Sequence, residues 1–211
     1  MFLQSFVASV QLTGYCVKET PYAPFGTPGA VTLLTEYSAP LYIKEVVIKP
    51  FKTRLSLAVS LAHLLVHLSD SKYGSLRLHN LTYDSFVVID QHVKLFDLSG
   101  LDSLQPLCTK QEDCMYHGIL LVQCNESRGL CLDWNARVNM FNFNQLFFQK
   151  LLQNTDDVPL DLVYRVEKIR KGVGQLKYSA QELFLQLKEV LDILAPSPQP
   201  PMAMSSHQSS G

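Results

Sequence analysis

The chain has 211 residues, of which 47% are hydrophobic and 18% are charged, and its formal net charge is -1. This composition indicates a globular chain with enough apolar residues for a sizeable core, and it excludes an intrinsically disordered protein. The near-neutral charge gives no electrostatic basis for binding nucleic acid, and no apolar stretch is long enough to cross a membrane.

Two strand-like segments open the chain. Residues 5–17 and 30–37 are rich in β-forming side chains, and the Pro/Gly-rich residues 22–29 separate them. We expect them to pair as a hairpin-like ribbon that depends on other elements for stability, because two strands rarely form a stable sheet alone. The first ten residues lack a basic start and make a poor signal peptide. Residues 38–50 are interpreted as a connector.

A long helix is predicted from Thr53 onward, because apolar residues recur there at intervals of three and four. The residues of this pattern are Leu55, Val59, Leu61, Ala62, Leu65, Val66 and Leu68. His63 and His67 lie one turn apart, a spacing at which two imidazoles could bind a metal ion. Since the sequence shows no third ligand at hand, we interpret them as ordinary histidines of the helix face.

Residues 76–100 are the stretch around which the other elements are arranged. Apolar and polar residues alternate over 86–90 and 93–97 on either side of a two-residue break, which predicts a β-hairpin. A polar loop containing Asn80 leads into the hairpin, and Asp97 closes it. Polar groups from the two ends can therefore converge on one side of the hairpin.

Four of the five cysteines fall in one loop-rich segment, at Cys108, Cys114, Cys124 and Cys131. Such a density predicts disulfides and an oxidising compartment, with three possible pairings. Zinc is the competing explanation, but the spacings differ from the short Cys-x-x-Cys pattern of zinc sites. Asn80-Leu-Thr and Asn125-Glu-Ser are candidate glycosylation sites. We therefore predict the secretory pathway.

Helices are predicted for most of the remaining chain. Residues 134–154 carry an apolar and aromatic stripe, and residues 160–172 suggest a further helix that ends at a glycine. The last helix begins at a capping box formed by Ser179 and Glu182. Residues 195–211 are rich in proline and serine, and we predict a disordered tail.

Several short motifs add to this order of elements. They are VQLTGYC at 10–16, GSL at 74–76, FVV at 86–88, VKLFDL at 93–98, the four cysteines and an Asn-aromatic-Asn helix. In combination, over about residues 8–194, they resemble the divergent protein kinases of the secretory pathway, of the extracellular tyrosine-protein kinase type known as vertebrate lonesome kinase. The order strand, strand, connector, helix, polar loop, hairpin, aspartate and helices is similar to that of a kinase domain.

The resemblance implies an α+β, protein-kinase-like fold. Residues 1–194 would form a partial kinase-like domain. The end of the small lobe, with two strands, would occupy about 1–40, and a mainly α-helical large lobe with the β-hairpin would occupy about 50–194. The tail at 195–211 would follow.

The resemblance also implies a function, namely phosphorylation on tyrosine of secreted or lumenal proteins, with ATP and Mg²⁺ or Mn²⁺. These proteins would be the partners, and the location would be the Golgi lumen or outside the cell. Carried over by motif, the metal-holding aspartate is Asp97. Asn80 stands at the position of the catalytic aspartate, and Ser85 at that of the following metal-side polar residue, so Ser85 and Asp97 would contact the nucleotide and its metal.

Two of these three positions depart from the kinase pattern. The Asn80 amide cannot accept the proton of a substrate hydroxyl, and a glycan on Asn80 would block the cleft. Ser85 offers one neutral oxygen. These 211 residues also contain no Gly-rich loop, strand lysine or helix glutamate of the kinase kind, and we expect them to be a fragment carrying mainly the large lobe. Whether the chain is an enzyme stays open: the alternatives are an impaired kinase, a pseudokinase scaffold, and a cytosolic helical domain with an incidental hairpin.

Overall fold

The computed structural model describes residues 10–17, 31–36 and 39–195. The strands among these residues are β1 (Leu12–Val17), β2 (Val31–Thr35), β3 (Ala39–Pro40), β4 (Arg77–Leu78), β5 (Phe86–Ile89), β6 (His92–Leu95), β7 (Leu101–Asp102), β8 (Met115–Tyr116), β9 (Ile119–Leu120), β10 (Cys124–Asn125) and β11 (Leu130–Cys131). The α-helices are α1 (Ile43–Val46), α2 (Phe51–Ser69), α3 (Trp134–Phe143), α4 (Gln149–Leu151), α5 (Leu160–Gly174) and α6 (Ala180–Leu194).

The fold therefore mixes helices with several small antiparallel sheets. β1 and β2 pair as the sequence predicted, from Leu12 opposite Thr35 to Val17 opposite Val31. Residues 1–9, which include most of the poor signal peptide, lie outside the described part. The predicted disordered tail beyond residue 195 also lies outside it. Within the described ranges, no helix combines the length and the apolar character needed to span a bilayer.

The interpretation of residues 38–50 as a plain connector was wrong. β3 lies within it and pairs with β5, so β3, β5 and β6 form a three-stranded sheet, and α1 follows directly. A two-residue strand and a one-turn helix are too short for their periodicity to be read from sequence. Their place in the fold is set by the sheet edge that β5 provides.

The hairpin is present, but its turn lies one residue earlier than predicted. The turn residues are Asp90 and Gln91, with φ of 49° and 65°, and Ile89 pairs with His92. A two-residue hairpin turn with left-handed backbone at both positions matches the twist of the strands. Aspartate tolerates that backbone better than most residues, which places Asp90 in the turn rather than in the strand.

The central helix is α2, and it begins two residues before the predicted start at Thr53. Its leucines Leu55, Leu61, Leu64 and Leu68 are all fully buried. The helix packs against α6, β6 and α3, so it is apolar on more than one side. Burying one leucine side chain contributes roughly 1.5–3 kcal/mol, and this helix therefore anchors the core.

The predicted helix over 134–154 is confirmed as a continuous helical segment that ends at Leu151, but it contains an unpredicted π-helical stretch, Asn144–Phe148, between α3 and α4. Aromatic side chains of this segment pack against one another and against β5. Phe143 and Phe147 meet edge to face at 5.6 Å, and both meet the Phe86 ring of β5, at 5.6 and 5.0 Å.

The predicted helices over 160–172 and after Ser179 are confirmed as α5 and α6. The capping box is formed: the Ser179 hydroxyl accepts the Glu182 N–H at 3.2 Å, and the Glu182 carboxylate accepts the Ser179 N–H at 2.8 Å. α5 runs past Gly172 to Gly174. Gly172 does not end the helix; a Cβ there would collide with the Tyr178 ring, so glycine allows a close contact.

The cysteine segment forms a second, smaller core. Cys108 is bonded to Cys124 and Cys114 to Cys131, with Cα–Cα distances of 5.8 and 5.6 Å. These disulfides pack with Trp134 and Val138 at the start of α3. All four sulfur atoms are used in this pairing, which favours disulfides over the competing zinc site.

Candidate functional site

The loop that contains Asn80 is hydrogen-bonded to the segment that follows Asp97. β4 pairs with β7, and the His79 N–H donates to the Gly100 carbonyl oxygen at 2.8 Å. A Cβ at Gly100 would lie 2.8 Å from the His79 carbonyl oxygen, closer than side chains approach backbone. Glycine at position 100 thus lets the two ends of the hairpin region meet.

Buried asparagines of α3 hold the strand that leads to Asn80. The Asn139 side chain accepts the Leu78 N–H at 3.0 Å and donates to the Leu76 carbonyl at 2.8 Å. One turn earlier, the Asn135 amide donates to the Ser75 carbonyl at 2.8 Å. Both asparagines are almost completely buried, so these amides satisfy buried backbone groups of residues 75–78.

The apolar stripe over 134–154 predicted this helix, but it indicated no role for Asn135 and Asn139. A signal was present, because the two asparagines are four residues apart and so share one helix face. Polar residues at core positions need hydrogen-bond partners, which indicates a buried backbone segment beside them.

Asn80 lies at the edge of an open cleft of about 430 Å³. Its backbone is left-handed, with φ of 50°, and its side chain is exposed. The cleft is also lined by His79, Tyr116, Phe141 and Gln145. The second sequon asparagine, Asn125, is half-buried, and its side-chain oxygen accepts the Ser127 hydroxyl at 2.7 Å.

Ser85 and Asp97 are neighbours across the base of the hairpin. The Ser85 carbonyl oxygen accepts the Phe96 N–H at 2.8 Å and the Asp97 N–H at 3.4 Å. Ser85 is buried, and its hydroxyl lies 3.4 Å from that of Thr82. Asp97 is exposed.

One oxygen of the Asp97 carboxylate accepts two hydrogen bonds, from the Ser99 hydroxyl at 2.6 Å and from the Ser99 N–H at 2.9 Å. These bonds stabilise the ionised form and lower the pKa of Asp97, the hydroxyl contributing more than the amide. The carboxylate is thus ionised at neutral pH, and among the described residues no hydrogen bond is found to its other oxygen.

An ionised carboxylate and a hydroxyl are hard oxygen ligands, the kind that Mg²⁺ and Mn²⁺ prefer. In the described part of the chain, Asp97 belongs to no group of three or more clustered histidine, cysteine or acidic side chains. Magnesium at phosphate-transfer sites is commonly held by one or two carboxylates, with water and phosphate oxygens completing its shell. An exposed, ionised Asp97 suits a site of that kind and not a closed protein cage.

A histidine-carboxylate pair flanks Asn80 and was missed in the sequence. His79 Nε2 contacts Asp102 Oδ2, and the Arg77 guanidinium lies 3.4 Å from the same carboxylate oxygen. The other oxygen, Asp102 Oδ1, accepts the Leu104 N–H at 2.8 Å. The β4–β7 pairing places Arg77 directly opposite Asp102, a long-range relation that no local pattern reveals.

The π-helical segment contacts the turn between Asn80 and Ser85 through Tyr83. The Tyr83 hydroxyl donates to the Leu146 carbonyl at 3.2 Å and also contacts the Lys150 ammonium group. The Tyr83 ring meets Phe147 edge to face at 5.6 Å. The loop is therefore anchored by aromatic packing as well as by the asparagines of α3.

Comparison with known proteins gives one distant relationship. The chain is 27% identical over 187 residues to the human (Homo sapiens) extracellular tyrosine-protein kinase PKDCC, a match that covers 87% of this chain and 36% of that protein. No protein-family model matches the chain. The chain thus spans about a third of the length of the curated relative it matches, and its resemblance to an extracellular tyrosine-protein kinase is one at family level.

Proposed function

We propose that this chain is part of a kinase-like protein of the secretory pathway, and that it binds a metal-nucleotide weakly and transfers phosphate poorly. In this proposal residues 1–194 belong to a kinase-like domain, with the end of the small lobe at about 1–40 and the large lobe at about 50–194. The distant similarity to an extracellular tyrosine-protein kinase supports this reading.

The observation that carries the proposal is the meeting of the two ends of the hairpin region. The Ser85 carbonyl bonds the Asp97 amide, and His79, next to Asn80, bonds Gly100. Ser85 and Asp97 are therefore joined through their main chains, and the residue beside Asn80 is joined to the segment that follows Asp97, although Asn80 and Asp97 span eighteen positions of sequence. In a kinase the corresponding polar groups hold the substrate hydroxyl and the metal.

The chemistry expected of this region follows from its side chains. Asp97 would supply a negative charge to hold the divalent ion that accompanies ATP, and Ser85 would add a neutral oxygen. Asn80 can hydrogen-bond a tyrosine hydroxyl but cannot remove its proton. The proposed activity, ATP-dependent phosphorylation of secreted or lumenal proteins, is thereby impaired rather than redirected.

Secretory location is part of the proposal and rests on the cysteines. Two disulfides occur within one segment, and disulfides persist in oxidising compartments. The related human protein is named as extracellular. The partners would then be secreted or lumenal proteins, reached in the Golgi lumen or outside the cell.

The proposal is tested on the full-length protein purified from the medium of secreting cells. Mg²⁺-dependent ATP binding is measured by calorimetry, and transfer to a tyrosine peptide is measured with labelled ATP. We expect Asn80→Asp to raise transfer by at least about 100-fold, the usual contribution of a general base. Asp97→Asn should abolish Mg²⁺-dependent ATP binding. Asp84→Asn is the control, because Asp84 is an exposed acid of the loop that contains Asn80, and it should leave binding unchanged.

Asn80→Asp also removes a glycosylation sequon, so Thr82→Ala is the matched control. This variant removes the sequon and keeps Asn80. If Thr82→Ala raises transfer as much as Asn80→Asp does, a glycan and not the missing carboxylate limits the reaction. Binding of ATP that survives Asp97→Asn would contradict the metal assignment.

The second candidate is a pseudokinase that acts as a scaffold. Two observations favour it: Asn80 is not a base, and the large apolar side chain of Phe96, directly before Asp97, is 53% exposed. An exposed large apolar group suits protein contact better than phosphate transfer. A folded Asn80→Asp variant that transfers no phosphate would favour this scaffold function.

A further inference from the structure

A second cavity lies away from the Asn80 region, between α2 and the β5–β6 hairpin, with a volume of about 270 Å³. It shares no lining residue with the Asn80 cleft. Three of its lining residues are the histidines His63, His67 and His92, and the turn residue Asp90 lies at the same cavity. Three imidazoles around one space are an unusual concentration of metal-binding groups.

A hydrogen bond fixes the register that brings these histidines together. The Ser60 hydroxyl accepts the Val93 N–H at 2.8 Å and thereby clamps the hairpin onto α2. His63 lies one helical turn after Ser60, and His92 directly precedes Val93. His67 follows one turn beyond His63, with the two ring centres 4.4 Å apart. Helix and hairpin therefore both contribute imidazoles to one cavity.

The surroundings favour the neutral imidazole, which is the form that binds metals. The His63 ring stacks on Phe184 with centres 4.9 Å apart. The pKa of His63 is lowered, first by burial of this partly covered ring and then by the charges of His67 and His92. Lys94 also lines the cavity, but its ammonium group is paired with the Glu36 carboxylate at 2.7 Å.

We propose that His63, His67 and His92 bind one divalent transition-metal ion of the zinc, nickel or copper class. Two histidines four residues apart on a helix are a common pair of ligands, and imidazole suits these metals. The hairpin supplies the third ligand, which the sequence did not reveal. Water or the Asp90 carboxylate completes the shell.

Binding requires side-chain rotation. In the described residues the nitrogens of the three rings do not all lie within 4.8 Å of one another, whereas ligands of one zinc ion lie roughly 3.3 Å apart. His92 is exposed, and its staggered rotamers interconvert readily, so its ring can turn toward the two histidines of α2. The bound ion would join α2 to the hairpin strands that follow Ser85 and precede Asp97.

The test uses the full-length secreted protein without a histidine tag, stripped with EDTA and dialysed. Zn²⁺ is titrated by calorimetry and thermal unfolding is followed, and Co²⁺ is added separately because its visible absorption reports nitrogen ligation and geometry. We expect one saturable site that raises the unfolding temperature. His92→Ala replaces an exposed hairpin residue and should weaken Zn²⁺ binding at least tenfold. His63→Ala should remove the visible absorption of bound Co²⁺.

His117→Ala is the matched control, because His117 is an exposed histidine that does not line this cavity. It should leave both the affinity and the spectrum unchanged. The proposal is overturned if no saturable site is found, or if His92→Ala binds Zn²⁺ like the unchanged protein. Should His63→Ala fail to fold, His92→Ala and His67→Gln carry the test. None of these measurements uses nucleotide, so the outcome is independent of the kinase-like proposal.

Discussion

The carbonyl oxygen of Ser85 accepts the backbone N–H of Asp97 at 3.4 Å, so the two residues are neighbours through main-chain atoms and not through their side chains. The position of Asp97 therefore does not depend on which side chain occupies position 85. The ionisation of the Asp97 carboxylate depends on Ser99, which donates two hydrogen bonds to one of its oxygens. This separation allows the placement of Asp97 and its ionisation to be tested independently.

Ser99→Ala is expected to raise the pKa of Asp97 toward its ordinary value. The Ser99 hydroxyl is the largest cause of the lowered pKa, and the Ser99 N–H bond remains in the variant. Carboxyl-carbon NMR titration of Asp97 measures the change directly, with Ser127→Ala as a control outside this region. An unchanged titration would show that the hydroxyl does not hold the carboxylate in solution.

Because the pKa of Asp97 is lowered in the folded protein, the free energy of unfolding depends on pH. The pKa of Asp97 is lower in the folded protein than in the unfolded chain, where it is about 3.9. The ionised group therefore stabilises the fold above that value, and this contribution is lost as pH falls through the folded pKa. Ser99→Ala should reduce the loss of stability that is seen on acidification over this range.

Gly100→Ala is expected to destabilise the fold by roughly 1–3 kcal/mol, the usual cost of forcing an extra methyl group into a packed site. The new Cβ would lie 2.8 Å from the His79 carbonyl oxygen, and backbone cannot move aside as a side chain can. Urea unfolding measures the difference. Gly14→Ala is the control, since its Cβ would meet only Leu34 side-chain atoms at 3.9 Å; equal effects of the two changes would contradict this explanation.

Asn139→Ala is expected to destabilise the strand that leads to Asn80. The substitution leaves the Leu78 N–H and the Leu76 carbonyl without their buried partner, at a cost of roughly 1–3 kcal/mol for an unsatisfied group. Hydrogen exchange should show faster exchange at the Leu78 amide, together with a lower unfolding free energy. Asn142→Ala is the comparison, because Asn142 makes only a 3.4 Å contact with the Tyr116 hydroxyl.

The disulfide pairing is open to direct mapping. Mass spectrometry of unreduced peptides should find Cys108 joined to Cys124 and Cys114 joined to Cys131. The bonded cysteines are 16 and 17 residues apart, so each bond should contribute roughly 3 kcal/mol by restricting the unfolded chain. Any other pairing would contradict the structure.

Removing the two disulfides separately should have unequal effects. Cys114 and Cys131 are fully buried, whereas Cys124 is only partly covered. The double variant Cys114→Ala with Cys131→Ala therefore loses packing against Trp134 in addition to the cross-link, and its unfolding temperature should fall further than that of Cys108→Ala with Cys124→Ala. Equal losses would mean that the cross-link alone matters.

Local patterns in the chain were enough to predict the long helices and the hairpin. Apolar periodicity placed α2, α5 and the long segment beginning at Trp134, and the Ser179 capping box marked the start of α6. These features succeed because each depends on residues within a few positions of one another. The one-residue shift of the hairpin turn shows the limit, because alternation alone does not select the turn residues.

The contacts that build the candidate sites join distant segments. Asn139 bonds backbone more than sixty positions earlier, His92 meets α2 through the Ser60–Val93 bond, and the cysteines pair in one of three possible ways. The contact of Phe147 with Phe86 likewise joins the π-helical stretch to the distant strand β5. None of these can be read from spacing along the chain, because each is decided by which surfaces become buried together when the elements pack.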